Sequence, residues 1–192
     1  MAWYRVVDSA DLEQGDILLS CPIVNVLGFY TESDDQDDID EREVEYTERH
    51  LIVLSQSCDL QHNKVSSVLL AEVKPYSAIK DELGNSKQAR RFREALVRGN
   101  IVNASLLHEH TPEPPLEWSI VDFHDLHVLP KSYILQFVER CGQRLRLEPP
   151  YREHLSQALA RYFMRVGLPH SAKAFEEYTG RPDASAAPAP EL

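Results

Sequence analysis

Arg49-His50-Leu51-Ile52-Val53-Leu54-Ser55 is the stretch on which the fold turns. Four aliphatic residues in a row, Leu51 to Leu54, leave no position for a solvent-facing polar side chain. A run this short and this apolar predicts a strand covered on both faces. The polar connection Gln56-Ser57-Cys58-Asp59-Leu60-Gln61-His62-Asn63-Lys64 follows it, and then a second strand from Val65 to Val73. That strand alternates, with Leu69, Ala71 and Val73 on one face and Val68, Leu70 and Glu72 on the other.

Upstream, Asp16 to Leu19 opens another strand that extends to Val26 through Pro22, whose missing N–H suits an edge or a bulge. Asp8 to Gly15 has the acidic start and terminal glycine of a capped helical turn, and Tyr4 to Val7 reads as a short strand. Downstream, Ser86 to Arg98 predicts a helix that stops at Gly99, with Ala89, Phe92 and Leu96 on its apolar face. Ile101 to Leu107 is strand-like, and Thr111-Pro112-Glu113-Pro114-Pro115 is a stiff connector. Trp118 to Leu129 alternates as a strand, while Ser132 to Val138 and Arg144 to Leu147 carry less distinct patterns. Pro149-Pro150 opens a helix whose apolar stripe is Leu155, Leu159, Tyr162, Phe163 and Val166, ended by Gly167. Ser171 to Tyr178 predicts one more short helix.

Charge is distributed unevenly. Nine acidic residues and one arginine lie between Glu32 and Glu45, a net of −8 out of the chain's −11. A segment this polar buries too little apolar surface to offset its ordering entropy and reads as a solvated loop, or as a contact for a basic partner. The predicted helix of residues 86–98 is the opposite. Lys87, Arg90, Arg91, Arg93 and Arg98 face a single Glu94, a density that suits phosphate contacts as well as a solvated face. At 192 residues with 43% apolar content, the chain has enough material for one core. No run approaches the roughly 20 apolar residues of a membrane span, and the N-terminus lacks the positive start and apolar run of a signal peptide. Three cysteines without a C-x-x-C pair do not form a disulfide framework. The expected location is the cytoplasm.

Two sets of side chains could carry chemistry. Cys58 and Asp59 follow the apolar strand, with His62 four residues on and His50 at the strand's start. The thiol could be a nucleophile activated by a histidine, or one ligand of a zinc site; the plainer alternative is a surface cysteine with Asp59 capping a turn. His108, His110, Asp122, His124 and His127 form a second set, in which residues two apart share a strand face. No metal and no cofactor are assigned on these patterns.

The order of elements resembles the PemK/MazF family of small barrels, the ribonuclease toxins of bacterial toxin–antitoxin pairs. Gly15-Asp16-Ile17-Leu18 resembles the family's opening strand, and Arg49 to Ser55 its Arg-Arg-Pro-x-Val-Val-Ser strand. Val65 to Lys74 is similar to the next strand, and Ser119 to Phe123 through Lys131-Ser132 to the late strand and the start of the last helix. The resemblance implies an α+β fold, a small, partly open β-barrel with an inserted helix and a C-terminal helical extension. Residues 1–148 would form the barrel with its acidic loop 32–45 and helix 86–98. Residues 149–180 would extend it on the same core, and 181–192 would be an unstructured tail.

The resemblance also implies Arg49 as the residue that stabilises charge on phosphorus. Glu72-Val73-Lys74, however, offers no hydroxyl where the family has a Thr or Ser. The expected function is therefore a divergent module of a toxin–antitoxin or defence-type system that binds a protein or RNA, with a homodimer among the expected assemblies, and without the family's ribonuclease mechanism. The alternatives are an endoribonuclease using Arg49, or a hydrolase or metal-dependent enzyme built on Cys58, Asp59 and His62. The expected nucleic-acid contacts are Lys87, Arg90, Arg91 and Arg93 on the predicted helix.

Overall fold

In a computed structural model, residues 2–26, 44–83 and 87–164 are described. Among them the chain forms seven strands and five helices: β1 (Tyr4–Val7), β2 (Asp16–Val26), β3 (Val44–Val53), α1 (Ser57–Gln61), β4 (Ser67–Pro75), α2 (Tyr76–Leu83), α3 (Lys87–Val97), β5 (Ala104–Leu107), β6 (Ser119–Pro130), α4 (Lys131–Cys141), β7 (Arg144–Leu147) and α5 (Tyr151–Phe163). The acidic segment, apart from Val44 and Glu45 in β3, and the expectations for residues 165–192 lie outside the described residues. The chain divides into a unit of Met1–Tyr162, which holds this fold, and a unit of Phe163–Leu192, of which Phe163 and Met164 are described. No described helix is long and apolar enough to cross a membrane.

The strands form one antiparallel sheet in the order β1-β7-β2-β3-β4-β6-β5. Laid flat at about 4.8 Å spacing, seven strands would set the outer two roughly 29 Å apart. Instead the Tyr4 hydroxyl on β1 donates to the carbonyl of His108, just past β5, at 2.7 Å. One apolar cluster gathers Tyr4, Ile17, Ile52, Val73, Leu107, Phe123 and Leu145, a residue from every strand. The sheet therefore curls until its edges meet through side chains, while its backbone ladder stays open between β1 and β5. Leu155 and Ala158 of α5 belong to this inner cluster.

The other face is covered separately. Leu18, Leu51, Val53, Val68 and Leu70 pack with Leu60 of α1 and with Ile134 and Val138 of α4. Leu51, Ile52 and Val53 are wholly buried because successive residues serve opposite clusters, as a strand with two covered faces requires. A third cluster seats α3 through Phe92 and Leu96 against Ala104 of β5 and Ile120 of β6.

Gly15 joins three strands. Its N–H donates to the Val53 carbonyl at 2.9 Å, and its carbonyl accepts from the Leu147 N–H at 3.1 Å. Its φ is +85°, and a Cβ there would stand 2.9 Å from the Leu147 Cβ, so both conformation and space require glycine.

Asp8 to Gly15 corrects the expected helical turn: no helix forms there. Its carbonyls are used elsewhere. The Arg144 guanidinium donates to the carbonyls of Ser9, at 2.8 Å, and Asp11. A helical turn would have drawn those carbonyls into its own ladder. Arg144 and Arg146 alternate on β7 with Leu145 and Leu147, so the leucines enter the inner cluster and both guanidinium groups enter a buried ion network. Arg144 Nε donates to Asp16 Oδ2 at 2.9 Å. Arg146 donates to Asp16 Oδ2 at 2.9 Å and to Asp11 Oδ2 at 3.2 Å, and pairs with Glu13. Asp16, the aspartate of the opening Gly-Asp, is wholly buried at the centre of this network. Its role here is to hold β2, β7 and the 9–13 segment together.

Candidate functional site

Cys58 stands exposed on α1, a helix of five residues. Its Sγ lies 3.7 Å from Asp59 Oδ1 and 3.9 Å from Gln56 Oε1. Asp59 pairs with Lys64 at 3.5 Å. His62 is exposed at the helix end, and its link to Cys58 is the backbone bond from its N–H to the Cys58 carbonyl at 3.2 Å. His50 Nδ1 accepts from the Ser20 N–H at 2.9 Å, where β2 bulges. Among the described residues, no histidine side chain is hydrogen-bonded to the Cys58 thiol, and no three His, Cys, Asp or Glu side chains gather as metal ligands do.

Arg49 projects from β3 and lies 3.6 Å from the Glu72 carboxylate on β4. Two residues on, Lys74 is held between Asp122, at 2.8 Å, and Asp125. Burial alone would lower the lysine pKa, but the hydrogen bonds it donates to the two carboxylates outweigh that and raise it. Both cations of this sheet face are thus matched by carboxylates, which is a poor setting for a phosphodiester. Asp122 also accepts from the His124 N–H at 3.0 Å, so its place in the histidine-rich set is explained by local pairing. His110 sits against Tyr4 in an edge contact at 5.8 Å, away from that pair.

The described surface offers a different concavity. A cleft of about 470 Å³ lies between the C-terminal end of α3, strand β5 and helix α5. Trp3 and Trp118, the chain's two tryptophans, both line it. Trp3 stacks on Tyr151 with ring centroids 3.9 Å apart and planes 13° from parallel. His108 bridges the tryptophans, 5.5 Å from the Trp3 ring and 4.3 Å from the Trp118 ring. Arg98, Arg161 and His154 supply the polar walls. The Arg161 guanidinium lies close to Gly99, immediately after Arg98.

A second hollow of about 260 Å³ adjoins the first and shares Leu96, Val97, Leu106 and Trp118 with it. Arg93 and Tyr76 complete its wall. Among the described residues, no aspartate or glutamate lines either hollow. Arg93, Arg98 and Arg161 have no carboxylate partner among the described residues, whereas Arg90 is engaged by Glu94 at 3.0 Å.

Of the four basic residues expected at a nucleic-acid surface, Arg93 lines a hollow. Lys87, Arg90 and Arg91 are exposed on the same helix but line neither hollow. Trp3, Trp118, Tyr151 and Arg161 escaped sequence reasoning. They are far apart along the chain, and their meeting depends on the curl of the sheet and the seating of α5. The usable signal was the tryptophan count, since two tryptophans that are not both fully buried mark a surface with an aromatic face. No protein-family model matches the chain, and comparison with curated proteins gives no significant match.

Proposed function

We propose that the protein is a non-catalytic module that binds single-stranded RNA in the cleft between α3 and α5. One observation carries the reading: in a chain of net charge −11, the two tryptophans and three arginines line adjoining hollows, and among the described residues no carboxylate pairs with those arginines or lines those hollows. Aromatic faces stack bases without regard to sequence, and guanidinium groups track phosphates and stack on bases in turn. The larger hollow also falls in the usual size range of ligand pockets, about 300–1,000 Å³.

The same proposal makes the chain a divergent PemK/MazF-like module of a toxin–antitoxin or defence-type system. A curled antiparallel sheet whose second strand opens at Gly15-Asp16 supports the partly open barrel that this implies. Binding without cleavage is supported by Arg49 facing Glu72 and by Lys74 caught between two aspartates.

The test is a titration of a labelled short oligouridine followed by fluorescence anisotropy at several salt concentrations. Affinity should fall steeply with salt, and the RNA should be recovered uncut. Arg98→Gln with Arg161→Gln removes two phosphate contacts and should flatten the log–log salt slope by about 1.4. A double variant that melts like the parent and binds with the same slope sinks the cleft as the interface.

A further inference from the structure

The two hollows meet at Leu96, Val97, Leu106 and Trp118, and Trp118 is the one aromatic ring that lines both. On one side of the shared wall stand Arg98 and Arg161, on the other Arg93. Trp118 is 37% exposed, so its ring is neither core filler nor a free surface group. Its backbone is held firmly: the Trp118 carbonyl accepts from the Tyr76 N–H at 2.7 Å, and Ser119, the next residue, enters β6 beside Pro75 of β4 and Leu107 of β5. His108 supports the ring at 4.3 Å. A fixed, half-exposed aromatic wall between two acid-free hollows, each with its own guanidinium group, has a repeat of two.

We propose that the site reads two successive nucleotides, with Trp118 wedged between their bases. One base would occupy the larger hollow beside Trp3 and the other the smaller hollow beneath α3. Their phosphates would be met by Arg98 with Arg161 and by Arg93. This rests on the nucleic-acid reading above and adds a unit length to it. The minimal ligand is a dinucleotide, because a mononucleotide fills only one side of the wall. The wedge costs one base–base stack and gains a base–indole stack on each side, so the stacking share of the second nucleotide's affinity exists only while the indole is present.

The experiment compares adenosine monophosphate with the 5′-phosphorylated adenylyl dinucleotide by calorimetry, on the parent and on Trp118→Ala. The dinucleotide should bind the parent roughly ten- to a hundredfold more tightly, the increment expected of one more stacked base. Trp118→Ala should remove most of that increment, leaving only what the second phosphate gains at Arg93. Because that variant could also loosen β6, Trp3→Phe provides a second readout on a chain whose fluorescence comes from Trp118 alone. There the dinucleotide should quench emission more deeply at saturation than the mononucleotide does. Equal affinities of the two ligands for the parent, or equal quenching, overturn the two-nucleotide site even if oligouridine binds. If oligouridine also fails to bind, the nucleic-acid reading falls with it.

Discussion

Cys58 shows how much a residue's neighbours decide. Its position past the most apolar strand suits a reactive centre, yet the side chains in hydrogen-bond contact with its sulphur are those of Gln56 and Asp59. Neither is a cation. Cys21 presents the reverse case: it is wholly buried in the outer cluster, and burial pushes its pKa up to about 11. Brief iodoacetamide treatment of the folded protein at neutral pH, followed by peptide mass spectrometry, should therefore modify Cys58 and leave Cys21 intact until denaturant is added. His62→Ala should leave the Cys58 rate unchanged. A marked drop in that variant would restore the histidine-activated nucleophile, and rapid labelling of Cys21 would contradict the packing of β2 against α4. Asp11 illustrates the opposite influence. Hydrogen bonding to Ser9, and then the Arg146 guanidinium, hold its carboxyl down at about 2 despite partial desolvation.

At the scale of elements, periodicity was readable wherever it was long enough. β4 alternates as its sequence implies, with Ala71 and Val73 entering the inner cluster and Val68 and Leu70 the outer. β7 has four residues, too few for a pattern of its own, and its two arginines argue for a surface until Asp16, far away in sequence, is brought opposite Arg146. The 8–15 segment was misread because its capping signals are local, whereas the guanidinium groups that claim its carbonyls are not.

In α5 the expected stripe holds at Leu155, Leu159 and Tyr162, and Phe163 departs from it. Leu155 and Ala158 are buried and Leu159 and Tyr162 partly so, while Phe163 is 56% exposed. Phe163 lies eight residues past Leu155, at the margin of the apolar face rather than its centre. Leu155→Ala should cost about 2–5 kcal/mol, and Phe163→Ala about 1 kcal/mol, in urea unfolding. The reverse order would mean that α5 presents a different face to the sheet.

On the nucleic-acid reading, the chain's net charge of −11 and the arginines of the cleft would act on RNA with opposite sign. In the proposed complex the cleft's arginines would displace counterions from the phosphates, a gain that falls linearly with the logarithm of salt. The segment from Glu32 to Glu45 holds −8 of the net −11 and acts on an approaching polyanion through solvent. Screening separates these terms, because the Debye length is roughly 30 Å at 0.01 M salt and about 8 Å at 0.15 M. Deleting Asp34 to Glu43 removes seven acids and Arg42, which moves the net charge from −11 to −5. The shortened chain should bind oligouridine more tightly than the parent at low salt, mainly through faster association in stopped-flow mixing. The advantage should shrink as salt approaches physiological strength, while Arg98→Gln with Arg161→Gln should still flatten the salt slope by about 1.4 in the shortened chain. An advantage that is independent of salt would mean that the acidic segment competes for the cleft by direct contact. No advantage at any salt would place its charge too far from the path of the ligand to matter.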